Sequence, residues 1–320
     1  MLQLEGVTKL YGTVIGVNDI ALSLNCGAYG LVGPNGSGKS TLLNLITGQL
    51  RPTLGQVRVL GADPWNNRAV WQQIGMCPEQ DVLYPNVTGF EWVRYLLELR
   101  GWRCAAAKAR AVEVLESLGL GDAMRRRMGG YSRGMRQRAK LAQALAHEPM
   151  LLILDEPFNG LDPVGRHAFT EVLRDWIGKG RGLILASHVL HEVEHTTDSF
   201  LLVYSGRLLA SGCVSEVKSL LADVPNEIWL RCDRASDLAC RLVQEPCVDA
   251  VRFADHGQVL VLATRSPATI YAKLPQWVAE TRVQVLELRS ADDSLHALFH
   301  SLLQIHRGGQ DFRVHSSVVE

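Results

Sequence analysis

Two groups of residues in the sequence have the types and spacing that phosphate chemistry needs. The first is Gly33-Pro34-Asn35-Gly36-Ser37-Gly38-Lys39-Ser40-Thr41, with the pattern Gly-x-x-x-x-Gly-Lys-Ser. Glycines at these places let backbone N–H groups turn inward around phosphate oxygens. Lys39 brings positive charge to β- and γ-phosphates, and Ser40 offers a hydroxyl to Mg²⁺. The second is Leu151-Leu152-Ile153-Leu154-Asp155-Glu156, an apolar run that ends in two carboxylates. Asp155 can hold Mg²⁺ directly or through water, and Glu156 can polarise an attacking water as a general base. A strand that merely ends in charge is common. The same strand downstream of a phosphate loop points to nucleotide hydrolysis.

Both groups depend on the elements that carry them. A buried strand is expected at Ala28–Val32, directly before the glycine run. Leu42, Leu43, Leu45 and Ile46 continue after it with helical spacing as far as Gly48. Strand, loop and helix in that order place a helix N-terminus at the phosphates. Residues 2–24 read as strands that turn at Gly12. Residues 87–148 read as mostly helical, with apolar faces at Phe90–Leu99 and Ala105–Leu118 and a third helix from about Gly134. From Met150 the texture is α/β. Strands are expected at 151–154, 183–186, 200–204 and 207–210, and helices at 164–178 and His188–His195.

Composition shifts after about residue 212. Strands are expected at 226–232, 248–254, 258–264 and 283–288, and helices at 234–243, 266–279 and 292–304. This βαββαβ-like order suggests a small α+β domain. The expected organisation is a nucleotide-binding domain at 1–212, an accessory domain at 213–306 and a flexible tail at 307–320.

Bulk properties narrow the function class. Hydrophobic residues make up 47% and charged residues 21% of the 320, which excludes a disordered or fibrous chain. Thirty-three basic residues balance 33 acidic ones, which argues against a nucleic-acid partner held by bulk charge. No apolar run reaches the ~18 residues of a membrane span. The first residues alternate like a strand and lack the pattern of a signal peptide. The seven cysteines form no C-x-x-C pair and read as reduced, packed thiols. A cytosolic location is expected, with any membrane role exerted through a partner. The Arg125-Arg126-Arg127 run reads as solvated, with contact to a membrane partner or lipid headgroup as the alternative.

Between the two chemical groups stands Tyr131-Ser132-Arg133-Gly134-Met135-Arg136-Gln137-Arg138, which resembles the signature motif of ATP-binding cassette (ABC) ATPases. Asn159-Gly160-Leu161-Asp162 resembles the D-loop of that family, Ser187-His188 its switch histidine, and Tyr11 its adenine-stacking aromatic. The resemblance covers about residues 1–212. It implies a P-loop NTPase core of the ABC type, α/β, with an antiparallel β subdomain and a helical insert. It implies ATP and Mg²⁺ as ligands. Ser132, Gly134 and Asp162 would act on a nucleotide held by a second ATP-binding subunit, a homodimer rather than a heterodimer, and His188 would contact the γ-phosphate. An adenine on Tyr11 would gain about 1–3 kcal/mol by stacking.

Four positions depart from the family pattern. Glu79, in Met76-Cys77-Pro78-Glu79-Gln80-Asp81, aligns with the Q-loop glutamine, and Gln80 follows one residue later. Glu79 could ligate Mg²⁺ and would oppose the γ-phosphate, and a one-residue slip would let Gln80 serve instead. Arg133 and Met135 replace a glycine and a glutamine of the signature, and Tyr131 replaces an aliphatic residue. One cassette without a membrane span, followed by an α+β appendage, resembles exporter ATPases with separately encoded permeases. Ser290 to Leu295 with Phe299 resembles the closing segment of those subunits. The function this implies is ATP hydrolysis that powers substrate movement through a membrane permease. The subunit would then lie peripherally on the inner face of the membrane. The alternatives are a soluble ABC ATPase in cofactor assembly and a regulatory nucleotide-binding module.

Overall fold

The computed structural model describes residues 1–80, 83–197, 199–213, 226–257 and 259–290. The chain divides into two compact units, Met1–Cys213 and Val214–Glu320. The expected helix at 292–304, the 291–295 segment with Phe299 and the tail at 307–320 lie outside the described residues.

The first unit holds two sheets. Strands β1 (Leu2–Tyr11), β2 (Val14–Leu24) and β4 (Leu54–Val59) form an antiparallel sheet in the order β2-β1-β4. Leu2, Leu4 and Val7 of β1 are buried, while Gln3 and Glu5 between them are exposed, the alternation of a sheet with one covered face. The larger sheet contains β3 (Ala28–Val32), β5 (Ile74–Cys77), β6 (Leu151–Asp155), β7 (Gly182–Ser187), β8 (Ser199–Tyr204) and β9 (Arg207–Cys213). Its order is β5-β6-β7-β3-β8-β9, parallel except for the last pair. Leu151 to Leu154 are wholly buried, which is why β6 reads as an unbroken apolar run.

Seven helices are described in this unit: α1 (Lys39–Ile46), α2 (Arg68–Trp71), α3 (Gly89–Leu99), α4 (Cys104–Ser117), α5 (Arg133–Leu145), α6 (Pro163–Gly178) and α7 (Leu190–Glu194). Helices α3, α4 and α5 pack together as the insert. Thr88 and Glu91 close a reciprocal capping box at the start of α3, the Thr-x-x-Glu signal of a helix N-terminus.

The structure differs from the sequence expectation in two places. Strand β4, helix α2 and strand β5 lie between the phosphate loop and the insert, where periodicity offers no clear signal. Helix α2 and β5 have four residues each, too few for a hydrophobic period to register. The helix expected at His188–His195 begins only at Leu190. Ser187 Oγ accepts from Val189 N–H at 3.0 Å, a local turn that holds His188 outside the helix.

The second unit runs β10 (Asn226–Cys232), α8 (Ala235–Leu242), β11 (Ala250–Ala254), β12 (Val259–Thr264), α9 (Pro267–Thr281) and β13 (Val285–Ser290). Its strands form an antiparallel sheet in the order β11-β12-β10-β13. Ile228, Leu230, Leu238, Leu242, Leu262 and Trp277 fill the core between sheet and helices.

Candidate active site

The parallel strands bring the chemical groups to one edge. Val32 pairs with Ser187 across β3 and β7, and Asp155 pairs with Ala186 across β6 and β7. The ends of three strands therefore lie level at the carboxyl side of the sheet, where open α/β sheets bind ligands. Gly38 caps the N-terminus of α1 at φ +106°, and a Cβ there would lie 2.5 Å from the Gly16 carbonyl oxygen. Only glycine meets both conditions.

Around this loop the ionisable groups are close. Ser40 Oγ donates to Asp155 Oδ2 at 2.9 Å. Lys39 is buried, donates to the carbonyls of Gly33 at 2.6 Å and Pro34 at 3.2 Å, and lies 4.0 Å from Glu156 Oε1. Glu156 adopts φ +49°, an uncommon conformation for a residue with a side chain. Its N–H donates to the Ala186 carbonyl at 2.9 Å, which sets the turn after β6. Glu156 Oε1 accepts from the backbone N–H of His188 at 2.9 Å and lies 2.8 Å from its ring Nδ1. With Glu156 ionised, Nδ1 must carry the proton.

Burial pushes the Lys39 ammonium down from its ordinary value, against the pull of Glu156, Asp155 and Glu79. Burial pushes the Asp155 carboxyl up, the Ser40 hydroxyl opposes that, and the charges of Glu79 and Glu156 add to it. Three carboxylates thus face one ammonium. Asp155 Oδ1 is buried and meets no donor. An orphaned carboxylate oxygen beside a serine hydroxyl, in a cleft with an acidic excess, suits a small hard cation. These residues fit Mg²⁺, which Ser40, Asp155 and Glu79 would hold.

A cleft of about 520 Å³ opens over this cluster, lined by Asn35 to Thr41, Glu79, Asp155 and Glu156, and by Tyr11 and Gly16 from the small sheet. Tyr11 is 46% exposed, and the Lys9 ammonium lies 5.6 Å from the centre of its ring. A Cβ on Gly16 would lie 2.7 Å from Tyr11 Cε2 and 3.0 Å from Thr41 Cγ2. Gly16 was not singled out from sequence. An isolated glycine within a strand is the signal that could have found it, because it marks close approach of another group.

Glu79 lines the cleft, whereas Gln80 is absent from the lining. Ser132, Gly134 and Asp162 are absent from it as well. Ser132 caps α5, its Oγ accepting from Met135 N–H at 3.2 Å, and no acidic residue occupies the first turn. Asp162 caps α6, accepting from Gly165 N–H at 3.1 Å, and pairs with Arg138 at 3.9 Å. Tyr131 is buried and donates its hydroxyl to the Ala123 carbonyl at 2.8 Å. That bond satisfies the hydroxyl of the buried tyrosine.

Behind Glu156, Ser187 Oγ donates to Glu192 Oε2 at 2.9 Å, and Arg166 of α6 pairs with Glu192 at 3.1 Å. Burial pushes the Glu192 carboxyl up. This pair, which links the helix after the D-loop motif to the histidine turn, carries no sequence signal. Its members meet only once α6 and α7 are placed. Among the described residues no group of three or more histidine, cysteine, aspartate and glutamate side chains is arranged to hold a metal ion.

A family model described as ABC transporter matches residues 17–159. The chain is 36% identical over 223 residues to a linearmycin resistance ATP-binding protein of Bacillus subtilis, a match that covers 69% of this chain and 72% of that one. It is 33% identical over 210 residues to a lantibiotic transport ATP-binding protein of Streptococcus pyogenes, covering 65% of this chain and 89% of that one. A solved ATP-binding subunit of an ABC transporter is 29% identical and superposes with a TM-score of 0.64, over 69% of this chain and 93% of that one.

Proposed function

The chain belongs to the ABC transporter ATP-binding family, and we propose that it is the ATP-hydrolysing subunit of an export system whose membrane permease is a separate chain. Relatives of the chain include a linearmycin resistance ATP-binding protein and a lantibiotic transport ATP-binding protein. The observation that carries the reading is the meeting of Lys39, Ser40, Asp155 and Glu156 in one cleft beneath the phosphate loop.

ATP enters with its triphosphate along the loop and its adenine toward Tyr11. Backbone N–H groups of residues 35–41 and the Lys39 ammonium hold the phosphates. Ser40, Asp155 and Glu79 would hold Mg²⁺, which would supply positive charge to offset that of the phosphates. Glu156 accepts the proton of a water as its oxygen bonds to the γ-phosphorus. The bond from that phosphorus to the bridging oxygen of ADP breaks, and the products are ADP, inorganic phosphate and one proton. His188 keeps the Glu156 carboxylate aimed.

Ser132, Gly134 and Asp162 lie on surfaces apart from this cleft, which supports a role toward the nucleotide of a second copy. The first turn of α5, where Ser132 and Arg133 are exposed, would grip the partner's γ-phosphate through its N–H groups. A groove of about 630 Å³ lined by Trp65, Trp71, Met76, Arg100 and Gln143 joins the insert to the β5 strand and offers the permease a seat. No helix among the described residues is long and apolar enough to cross a membrane.

The test is ATP turnover of the wild type beside Glu156→Gln, with size exclusion in ATP. Loss of turnover in the variant, which then elutes as an ATP-held dimer, is the expected result. Wild type that fails to bind ATP would overturn the reading.

A further inference from the structure

Helix α5 starts with the signature residues and carries further polar side chains along one face. Gln137, Lys140 and Gln143 follow at helical spacing, and His147 lies just past its end. All reach neighbouring backbone. His147 Nε2 lies 3.0 Å from the Ile74 carbonyl, and Gln143 Nε2 donates to the Met76 carbonyl at 2.7 Å. Gln137 Nε2 donates to the Pro157 carbonyl at 2.8 Å. Lys140 sits between them, 2% exposed, and its ammonium donates to the carbonyls of Pro78 at 2.9 Å, Glu79 at 2.8 Å and Gln80 at 3.3 Å.

A buried ammonium is costly unless acceptors surround it. Here three consecutive carbonyls converge on one cation, which orients three successive peptide groups. The direction in which the Glu79 side chain leaves the backbone follows from those peptide planes. Of the two candidate Q-loop residues, Glu79 is the one that reaches the cleft.

We propose that Lys140 is a positioning residue for Glu79. It fixes the backbone of residues 78–80 so that the Glu79 carboxylate faces the metal and phosphate cleft. It also ties that carboxylate to the helix whose first turn carries Ser132 and Gly134. A shift of α5 on engaging a partner's phosphate would then be felt directly at Glu79 of the same chain. The part of this inference that concerns metal rests on the function proposed above; the part that concerns backbone does not.

The experiment uses the full chain as wild type, Lys140→Met, Lys140→Arg, Glu79→Ala, and Lys140→Met with Glu79→Ala. Hydrogen exchange is read first by mass spectrometry, without nucleotide. Lys140→Met should speed exchange about tenfold in peptides covering β5 and residues 78–80, with peptides of the phosphate loop unchanged and Lys140→Arg intermediate. Unchanged exchange at 78–80, or acceleration spread through the whole first unit, would overturn the proposal. Mn²⁺ binding with a non-hydrolysable ATP analogue is then measured by electron paramagnetic resonance. Lys140→Met should weaken Mn²⁺ about tenfold when Glu79 is present, as loss of an outer-shell support does, and by less than about twofold in the Glu79→Ala background. Equal weakening in both backgrounds would overturn it. Failure of wild type to bind the analogue would sink the ATPase reading and the metal half with it, and the exchange result would still decide the backbone half.

Discussion

The carboxylate of Glu156 receives the backbone N–H and the ring nitrogen of one residue, His188, at 2.9 Å and 2.8 Å on the same oxygen. The imidazole therefore fixes the carboxylate proposed as general base from the neighbouring strand end. Its removal leaves the backbone bond and frees the carboxylate to rotate. His188→Ala should lower kcat about 100-fold, the usual scale for a mispositioned base, and change ATP affinity by less than about twofold. Steady-state kinetics with a fluorescent-nucleotide titration would separate the two. A rise in KM with kcat intact would show that the imidazole serves binding instead.

Gly16 leaves room for Tyr11 and Thr41, each within 3.0 Å of where its Cβ would be. Gly16→Val should displace the tyrosine ring and raise the KM for ATP about tenfold, the equivalent of ~1.4 kcal/mol of lost stacking. The same substitution should leave KM unchanged in a Tyr11→Ala background. An equal rise in both backgrounds would mean that the valine blocks the phosphates rather than the base.

Burial pushes the His147 imidazole down to about 4, with the Arg100 charge adding to it and the bond to the Ile74 carbonyl opposing it. Its ordinary value is 6.5. Between those values the unfolded chain binds a proton that the folded chain refuses. The contribution of His147 is therefore complete above about pH 6.5 and is lost as pH falls toward about 4, up to roughly 3 kcal/mol. Urea unfolding of wild type should weaken across that window, and His147→Gln should flatten the slope. Identical slopes would remove His147 as the cause.

Cys77 is fully buried, and burial pushes its thiol up to about 12, whereas Cys26, Cys104 and Cys240 are exposed. N-ethylmaleimide at pH 7.5 should alkylate those three in the native protein and spare Cys77 until the chain is unfolded. Mass mapping of the alkylated peptides checks this. Rapid native labelling of Cys77 would mean that β5 opens readily.

How much of this could be read from residues alone depended on how local the constraint was. The phosphate loop and the strand ending in Asp155 and Glu156 are legible because the chemistry demands particular residue types at fixed short spacing. The buried strands β3, β6 and β7 announce themselves as apolar runs. Strand β5 has four residues and no alternation, so nothing in the sequence marks where it lies. Lys140 then looks like an ordinary helix lysine, and its three carbonyl partners sit some sixty positions upstream. Arg166 and Glu192 are hidden for the same reason, since their pairing exists only in three dimensions. The choice between Glu79 and Gln80 is a matter of backbone direction, which a residue alphabet does not encode.

The polar face that α5 turns toward β5 has one more consequence. Strand β5 is a border strand of the larger sheet, and the carbonyls of Ile74 and Met76 already have partners in His147 and Gln143. A border strand with open acceptors is a template onto which a foreign strand can add. Gln143 of α5 and His147 just past its end occupy those acceptors with side chains, without a further strand. The residues that hold the signature helix in place thereby also guard the sheet against edge-to-edge aggregation.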